Sequence, residues 1–426
     1  MSGRQSYLAR ELVDFIIEHL RDDKASLSVC TLLSRYWHVS ARPALFKKIT
    51  LRCKDRTRNT TAFLRFFDAH AQYAHWVREL DVLANDGITV GTNIRPSTHA
   101  GIITVSELSN ILSTLPDIRK LKLSSAYLLH DFGCPPLLRP PPKSLEKLWL
   151  DTVVIAVGQF GDRPAECSLV KFLALLDAVK TVIVYDLRVE RFFPFTDDPH
   201  RDIVRIEGEK IGKNFHITDT LVISTSDDQD ESQLVILDLL VGSKALRSVQ
   251  HLVVDEGDFV GYETVQAVAG TLQHLELVVN APALGLALEE DEQNVSALTY
   301  GVASCAGLTK LHIIMNPTAD EMDGRYLVTV QHIIRFAPRS VSEFLIDFDC
   351  VFSMLHFFDW NAMDNVLSTR AGVTSVTVMF GDKHDCSGCG LRLPVDNKIA
   401  LAKQRLPQLR ARGIVSFRQS LEDPLV

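Results

Sequence analysis

Along most of the chain the apolar residues fall into one recurring frame: apolar, two variable, apolar, one variable, apolar. It reads Val77, Leu80, Val82, then Ile118, Leu121, Leu123, then Leu145, Leu148, Leu150, then Val179, Val182, Val184. It returns as Val249, Leu252, Val254, as Leu272, Leu275, Leu277, and as Leu308, Leu311, Ile313. Val341, Phe344, Ile346 and Val373, Val376, Val378 follow, and Leu221 with Ile223 makes a weaker copy. Alternate side chains of a strand face the same way. The two close apolar positions therefore predict a short strand over a core, with the earlier one anchoring the turn into it.

Segments of helical spacing precede most copies: residues 106–115, 168–179, 263–272, 294–305 and 327–337. Ser106 stands where an N-cap is expected for the first of them. In three copies an Asn follows the last apolar residue by three positions, at Asn85, Asn280 and Asn316, where its side chain can bond backbone groups that a bend leaves open. The frame with its Asn resembles the leucine-rich repeat. That resemblance implies an irregular β-α solenoid with a parallel sheet; an ordinary α/β sheet with Val-rich strands is the alternative. The spacing is uneven, 27 residues from Leu121 to Leu148 and 41 from Leu80 to Leu121. Pro-rich and acidic insertions such as residues 134–144, 191–202, 224–232 and 288–294 account for it. A C-terminal amphipathic stretch, with Ile399, Ala402, Leu406 and Leu409 on one side, predicts a helix that caps the last core layer.

The first fifty residues are different. Leu8, Leu12, Phe15 or Ile16, and Leu20 recur at helical spacing, and so do Leu27, Cys30, Leu33 and Trp37. Asp22 or Asp23 is placed to cap the second helix, and Pro43 suits the first turn of a third. Phe46, Ile49 and Leu51 then enter the strand frame, so a helical unit over residues 1–50 joins directly to a repeat region over 51–426. So small a helical unit buries little surface and needs a partner, either the repeats behind it or another protein.

Residues 7–51 resemble an F-box. Leu8, Glu11, Leu12, Ile16, Leu20, Cys30, Trp37, Leu45 and Phe46 fit the family pattern, while its proline is Ala9 here. A proline would pre-set the start of the first helix. Helices followed by degenerate leucine-rich repeats are similar to the fungal F-box families. The resemblance implies the substrate-recognition adaptor of an SCF-type cullin-RING ubiquitin ligase, non-catalytic in itself. Leu8, Ala9, Glu11, Leu12, Ile16, Leu20, Leu33 and Trp37 would bind a Skp-family linker, and the repeats would hold a protein target. A repeat scaffold without a ligase role is the alternative.

In a curved solenoid the variable residue between the two strand apolars lines the concave face. Trp149, Ile183, Val222 and Val253 come from consecutive copies and are the candidate target-binding patch, unless an insertion such as residues 191–202 covers them.

Composition narrows the classes. The chain has 426 residues and a net charge of −8. Lys and Arg outnumber Asp and Glu 8 to 5 in the first fifty residues, but are outnumbered 48 to 37 beyond them, which argues against nucleic-acid binding. A helix-turn-helix reading of the N-terminus fares no better, since residues 25–39 hold Arg35 as their one fixed positive charge. The longest apolar run, residues 234–241, is far short of the roughly 20 residues that a span needs. With no leader-like N-terminus, an intracellular protein, cytoplasmic or nuclear and off the membrane, is expected. Most of the eight cysteines stand singly in apolar stretches, as reduced core residues do. His384, Cys386 and Cys389 are the exception, a C-x-x-C with a nearby His that could supply three zinc ligands or a redox pair. No second close pair completes a zinc site, no nucleotide fingerprint is present, and no cofactor is expected.

Overall fold

The structure is a computed structural model. It describes residues 8–53, 59–84, 101–129, 143–158, 166–192, 215–224, 239–241, 243–256, 261–280, 299–316, 325–348, 355–356, 358–381 and 394–420. The protein is α/β, and twelve of its strands belong to one parallel sheet. The chain divides into two compact units, Met1–Val179 with Leu187–Asp197, and Lys180–Asp186 with Asp198–Val426.

The first unit opens with three helices, α1 (Arg10–His19), α2 (Lys24–Leu33) and α3 (Arg35–Lys47). Asp23 caps α2, accepting from the Ser26 amide at 3.0 Å and the Ser26 hydroxyl at 2.6 Å. The apolar stripe from Leu27 to Trp37 is not one helix. Ser34 takes an extended conformation, and its hydroxyl accepts from the Trp37 amide and starts α3 there. Pro43 consequently lies inside α3 and not in its first turn. Val13, Ile17, Leu27, Cys30 and Ala41 form a small core, with Leu20, Trp37, Ala44 and Leu45 packed on it.

Directly after α3 come β1 (Lys48–Arg52) and, after α4 (Thr60–Ala69) and a 3-10 turn (Ala71–Trp76), β2 (Glu79–Leu83). Asn59, a glycosylation acceptor in form, caps α4 by accepting from the Ala62 amide at 2.9 Å. Phe46 stacks on Tyr73 and Phe66, so α3 is tied to the segment between the first two strands by aromatic contact.

A short strand β3 (Ile102–Thr104) leads into α5 (Val105–Thr114), followed by β4 (Lys120–Ser124), β5 (Tyr127–Leu129), β6 (Lys143–Asp151) and β7 (Val154–Gly158). The N-cap of α5 is Thr104 and not Ser106: Thr104 and Glu107 form a reciprocal capping box, which satisfies two amides at once. A two-residue strand β8 (Glu166–Cys167), α6 (Ser168–Leu173), β9 (Leu176–Tyr185) and β10 (Arg188–Phe192) follow. The expected helix over 168–179 stops early because its second half belongs to β9.

The repeat frame sets the strand register. Ile49 pairs Leu80, Leu80 pairs Leu121, and Leu121 pairs Leu148; Leu51, Val82, Leu123 and Leu150 make the next layer. In the second unit β11 (His216–Ser224), β12 (His251–Glu256), β13 (His274–Asn280), β14 (Lys310–Asn316), β15 (Glu343–Phe348), β16 (Ser375–Phe380) and β17 (Val415–Gln419) run side by side. There Leu221, Leu252, Leu275, Leu311, Phe344 and Val376 form one ladder, and Ile223, Val254, Leu277, Ile313, Ile346 and Val378 the other. All of these residues are buried except Ile49, which is half-buried. Each such side chain withdrawn from water contributes about 1.5–3 kcal/mol, so the stacked layers are the main source of stability. The turn anchors Val77, Ile118, Leu145, Val179, Val249, Leu272, Leu308, Val341 and Val373 are buried too. Asn280 and Asn316 end their strands in register with each other, while Asn85 lies outside the described residues.

The first unit carries a second sheet, ordered β10-β7-β5-β3, with β8 antiparallel on β7. Its strands are reached by a repeated corner. Ser125, Thr152 and Asp186 each follow a main-sheet strand with φ of 48°, 52° and 45°, and a buried Ala126, Val153 or Leu187 comes next.

The C-terminal stretch also departs from one capping helix. It breaks at Leu406 into helices Val395–Arg405 and Pro407–Ala411, since Pro407 suits a helix start, and β17 then extends the sheet.

Candidate functional site

Eight apolar residues of α1–α3 and the segment leading into α1 stay out of the small core and face solvent. Leu8, Leu12, Phe15, Val29, Leu32, Leu33, Tyr36 and Val39 are all exposed, Leu32 by 84%. They are eight of the thirteen exposed large apolar side chains among the described residues, so solvent-facing apolar surface is concentrated in this unit. Of the residues expected to bind an adaptor, Leu8, Ala9, Glu11, Leu12 and Leu33 are exposed and Ile16 is half-buried. Leu20 and Trp37 pack against the core of the unit, where they support the helices from inside. Sequence reasoning passed over Val29, Leu32, Tyr36 and Val39. The adjacent pair Leu32-Leu33 was the available signal, because neighbours on a helix cannot both face a narrow core.

The expected target-binding residues do not share one exposure. Trp149, Ile183 and Val222 are half-buried, and Val253 is 4% exposed, so the exposed-patch expectation fails at that position. Trp149 is also covered by charge: the Lys122 ammonium sits 3.7 Å from its ring centre and the Lys147 ammonium 4.8 Å away. Lys122 in turn pairs with Asp151 at 3.0 Å.

The continuation of the Val222–Val253 row is polar. Glu276 pairs Val253 in register, and His312 pairs Glu276. His312 Nδ1 and Glu276 Oε2 are 3.0 Å apart, with the two residues 6% and 8% exposed. A carboxylate only accepts, so Nδ1 of His312 donates in this bond. Two residues before Glu276 on the same strand face, His274 pairs His251 on β12, and their rings stack with centres 4.0 Å apart.

Burial, then His251 and Lys310, pushes His274 down to about 4, and burial also lowers His251. Burial works to raise Glu276. The hydrogen bond from His312 and the charges of His312, His274 and His251 outweigh it and hold Glu276 below the usual carboxylate range.

This cluster was absent from the sequence expectations. Its trace is the tripeptide Gln-His-Leu, which occurs at Gln250-His251-Leu252 and again at Gln273-His274-Leu275, at one position of the repeat frame. His384, Cys386 and Cys389, the metal or redox candidates in the sequence, lie outside the described residues.

A cleft of about 150 Å³ bordered by Leu355, Phe358, Trp360 and Arg405 is smaller than the roughly 300–1,000 Å³ of small-molecule sites. Among the described residues no helix is long and apolar enough to cross a membrane. No protein-family model matches the chain, and no curated protein matches it.

Proposed function

We propose that this protein is a non-catalytic recognition subunit of an SCF-type cullin-RING ubiquitin ligase. Its F-box-like α1–α3 unit docks on a Skp-family linker, and its leucine-rich-repeat solenoid presents a protein target. The observation that carries the reading is the clustering of exposed apolar side chains between Leu8 and Val39, on helices that already have a core of their own. Such a surface costs solubility unless a partner covers it. The residues that fit the F-box pattern divide accordingly: Leu8 and Leu12 are exposed, Cys30 is buried, and Trp37 and Leu45, partly buried, pack against the core.

The test is binding of the full chain to purified Skp-family protein by titration calorimetry. Binding by the parent, abolished in Leu8→Asp and Leu12→Asp with unchanged circular dichroism, is the expected result. Absence of binding by the folded parent would overturn the ligase reading.

One observation favours the second reading, a repeat scaffold in which α1–α3 only closes the end of the sheet. Phe46 joins α3 to Phe66 and Tyr73, and α3 runs straight into β1. That reading expects no linker binding and loss of folding when residues 1–51 are removed.

A further inference from the structure

The geometry points to a binding site for a divalent transition metal ion of the zinc class, made by His251, His274 and Glu276, with His312 holding Glu276 in place. One ligand atom from each of the first three lies within 4.8 Å of the other two. Two imidazoles and a carboxylate form a borderline N,N,O donor set, which suits zinc and its first-row neighbours better than magnesium or calcium.

The register explains how the sequence makes the site. His251 and His274 are direct partners on neighbouring parallel strands, so their side chains leave the sheet side by side. Glu276 lies two residues along β13 and shares their face. A hydrophobic repeat is free to place any residue at these positions, yet it places three ligands together.

A second observation stands apart from the spacing. Nε2 of His251, His274 and His312 is buried in each case and meets no hydrogen-bond partner among the described residues. A buried imidazole nitrogen without a partner costs free energy that a fold normally avoids. Two of the three are on His251 and His274, the imidazoles whose ligand atoms face Glu276, and such a pair beside one carboxylate is what a site for a cation leaves behind.

Tetrahedral zinc with bonds of about 2.0–2.1 Å needs ligand atoms about 3.3 Å apart, so the side chains, now within 4.8 Å of one another, close by up to about 1.5 Å on binding. Tilting the two stacked rings toward each other achieves that. His312 acts as the outer partner that orients a ligating carboxylate, occupying Oε2 and leaving the other oxygen to the metal. Lys310, next to His274 in its row, opposes a cation, while Glu276 and the nearby Asp219 favour one. Three protein ligands leave a fourth position to water or to a group from a bound partner.

The test uses the full chain carrying Cys386→Ser and Cys389→Ser, so that the thiol pair cannot contribute. After chelator treatment the protein is titrated with zinc and, separately, with cobalt as a spectroscopic probe. One zinc per chain is expected, with a cobalt spectrum free of a thiolate charge-transfer band. His251→Gln and His274→Gln each lower the affinity at least 100-fold, and His312→Ala lowers it about 10–100-fold, the usual loss on removing an outer-shell partner. Melting curves of the metal-free variants verify that each is folded. Failure of the folded parent to bind zinc at micromolar concentration overturns the site, and so does equal affinity in a His251→Gln/His274→Gln double variant. Neither outcome bears on linker binding through α1–α3.

Discussion

Asp364 caps a helix that begins more than forty residues later. Its carboxylate accepts from the backbone amides of Gln408 and Leu409, both at 2.9 Å, and is 2% exposed. The two amides open the helix Pro407–Ala411 and have no intrahelical partner. Removing the acceptor leaves the buried Leu409 amide, and the part-buried Gln408 amide, without their partner. Asp364→Ala is expected to destabilise the second unit by about 2–4 kcal/mol, since hydrogen bonds to a charged group are worth about 1.5–3 kcal/mol each. Asp364→Asn, which keeps one acceptor oxygen, loses less. Urea unfolding gives the size, and faster amide exchange over residues 395–411 locates the loss.

The corner after β6 gives a prediction of the opposite sign. Thr152 holds φ at 52°, where a β-branched residue is strained by about 1–2 kcal/mol. Thr152→Gly relieves that strain, gives back about 0.5–1 kcal/mol in backbone entropy and, like the Val variant, loses the hydroxyl contact with Asp151, so it is expected to lie between neutral and about 1 kcal/mol stabilising. Thr152→Val keeps the strain and loses the 3.2 Å contact of the hydroxyl with Asp151, and it is expected to melt lower than the parent. A Gly variant less stable than the Val variant contradicts the role given to the corner.

These cases mark how far the sequence could be read. The frame placed Leu80, Leu121 and Leu148 in one layer because a two-residue period is a local property that the parallel sheet only repeats. A cap at Asp22 or Asp23 was legible for the same reason, since the acceptor and donor that Asp23 joins are three residues apart. Thr104, Ser34 and the corners at Ser125, Thr152 and Asp186 were not, because each depends on where the chain must turn after packing. Asp364 and the histidine cluster were beyond local reading altogether. They join residues that only the strand order and helix packing bring together, although the recurring Gln-His-Leu showed that two of the histidines share a register.

Burial pushes the Cys305 thiol up to about 11, and its Sγ lies 3.3 Å from the Gly301 carbonyl with the residue fully buried. The thiolate is the reactive form, so this cysteine is almost entirely protonated and shielded at neutral pH. Alkylation by iodoacetamide at pH 7.5 is expected to be at least about 100-fold slower in the native protein than in the urea-unfolded chain. Cys53, half-buried and likewise pushed up to about 11, follows the same pattern with a smaller ratio. Peptide mass spectrometry of timed reactions reads both sites. Equal rates at Cys305 in the folded and unfolded chains would mean that the helix over 299–304 opens readily.

The helical unit separates surface from core within one turn of α1. Leu12 is 51% exposed, whereas its neighbour Val13 is fully buried in the core with Ile17, Leu27, Cys30 and Ala41. A carboxylate at position 12 meets water, and Leu12→Asp is expected to change stability by no more than about 0.5 kcal/mol. At position 13 the same carboxylate has no partner and must be protonated or drag the helix open, so Val13→Asp is expected to unfold α1–α3. Limited proteolysis is the direct measure: trypsin should cut between Arg10 and Lys47 rapidly in Val13→Asp and at the parent rate in Leu12→Asp. The second unit should stay resistant in both. With that pair in hand, any loss of linker binding in Leu12→Asp can be assigned to the proposed docking surface and not to the fold. Rapid cutting of Leu12→Asp would instead mean that position 12 serves the core of the unit, and the surface assignment of α1 would fall.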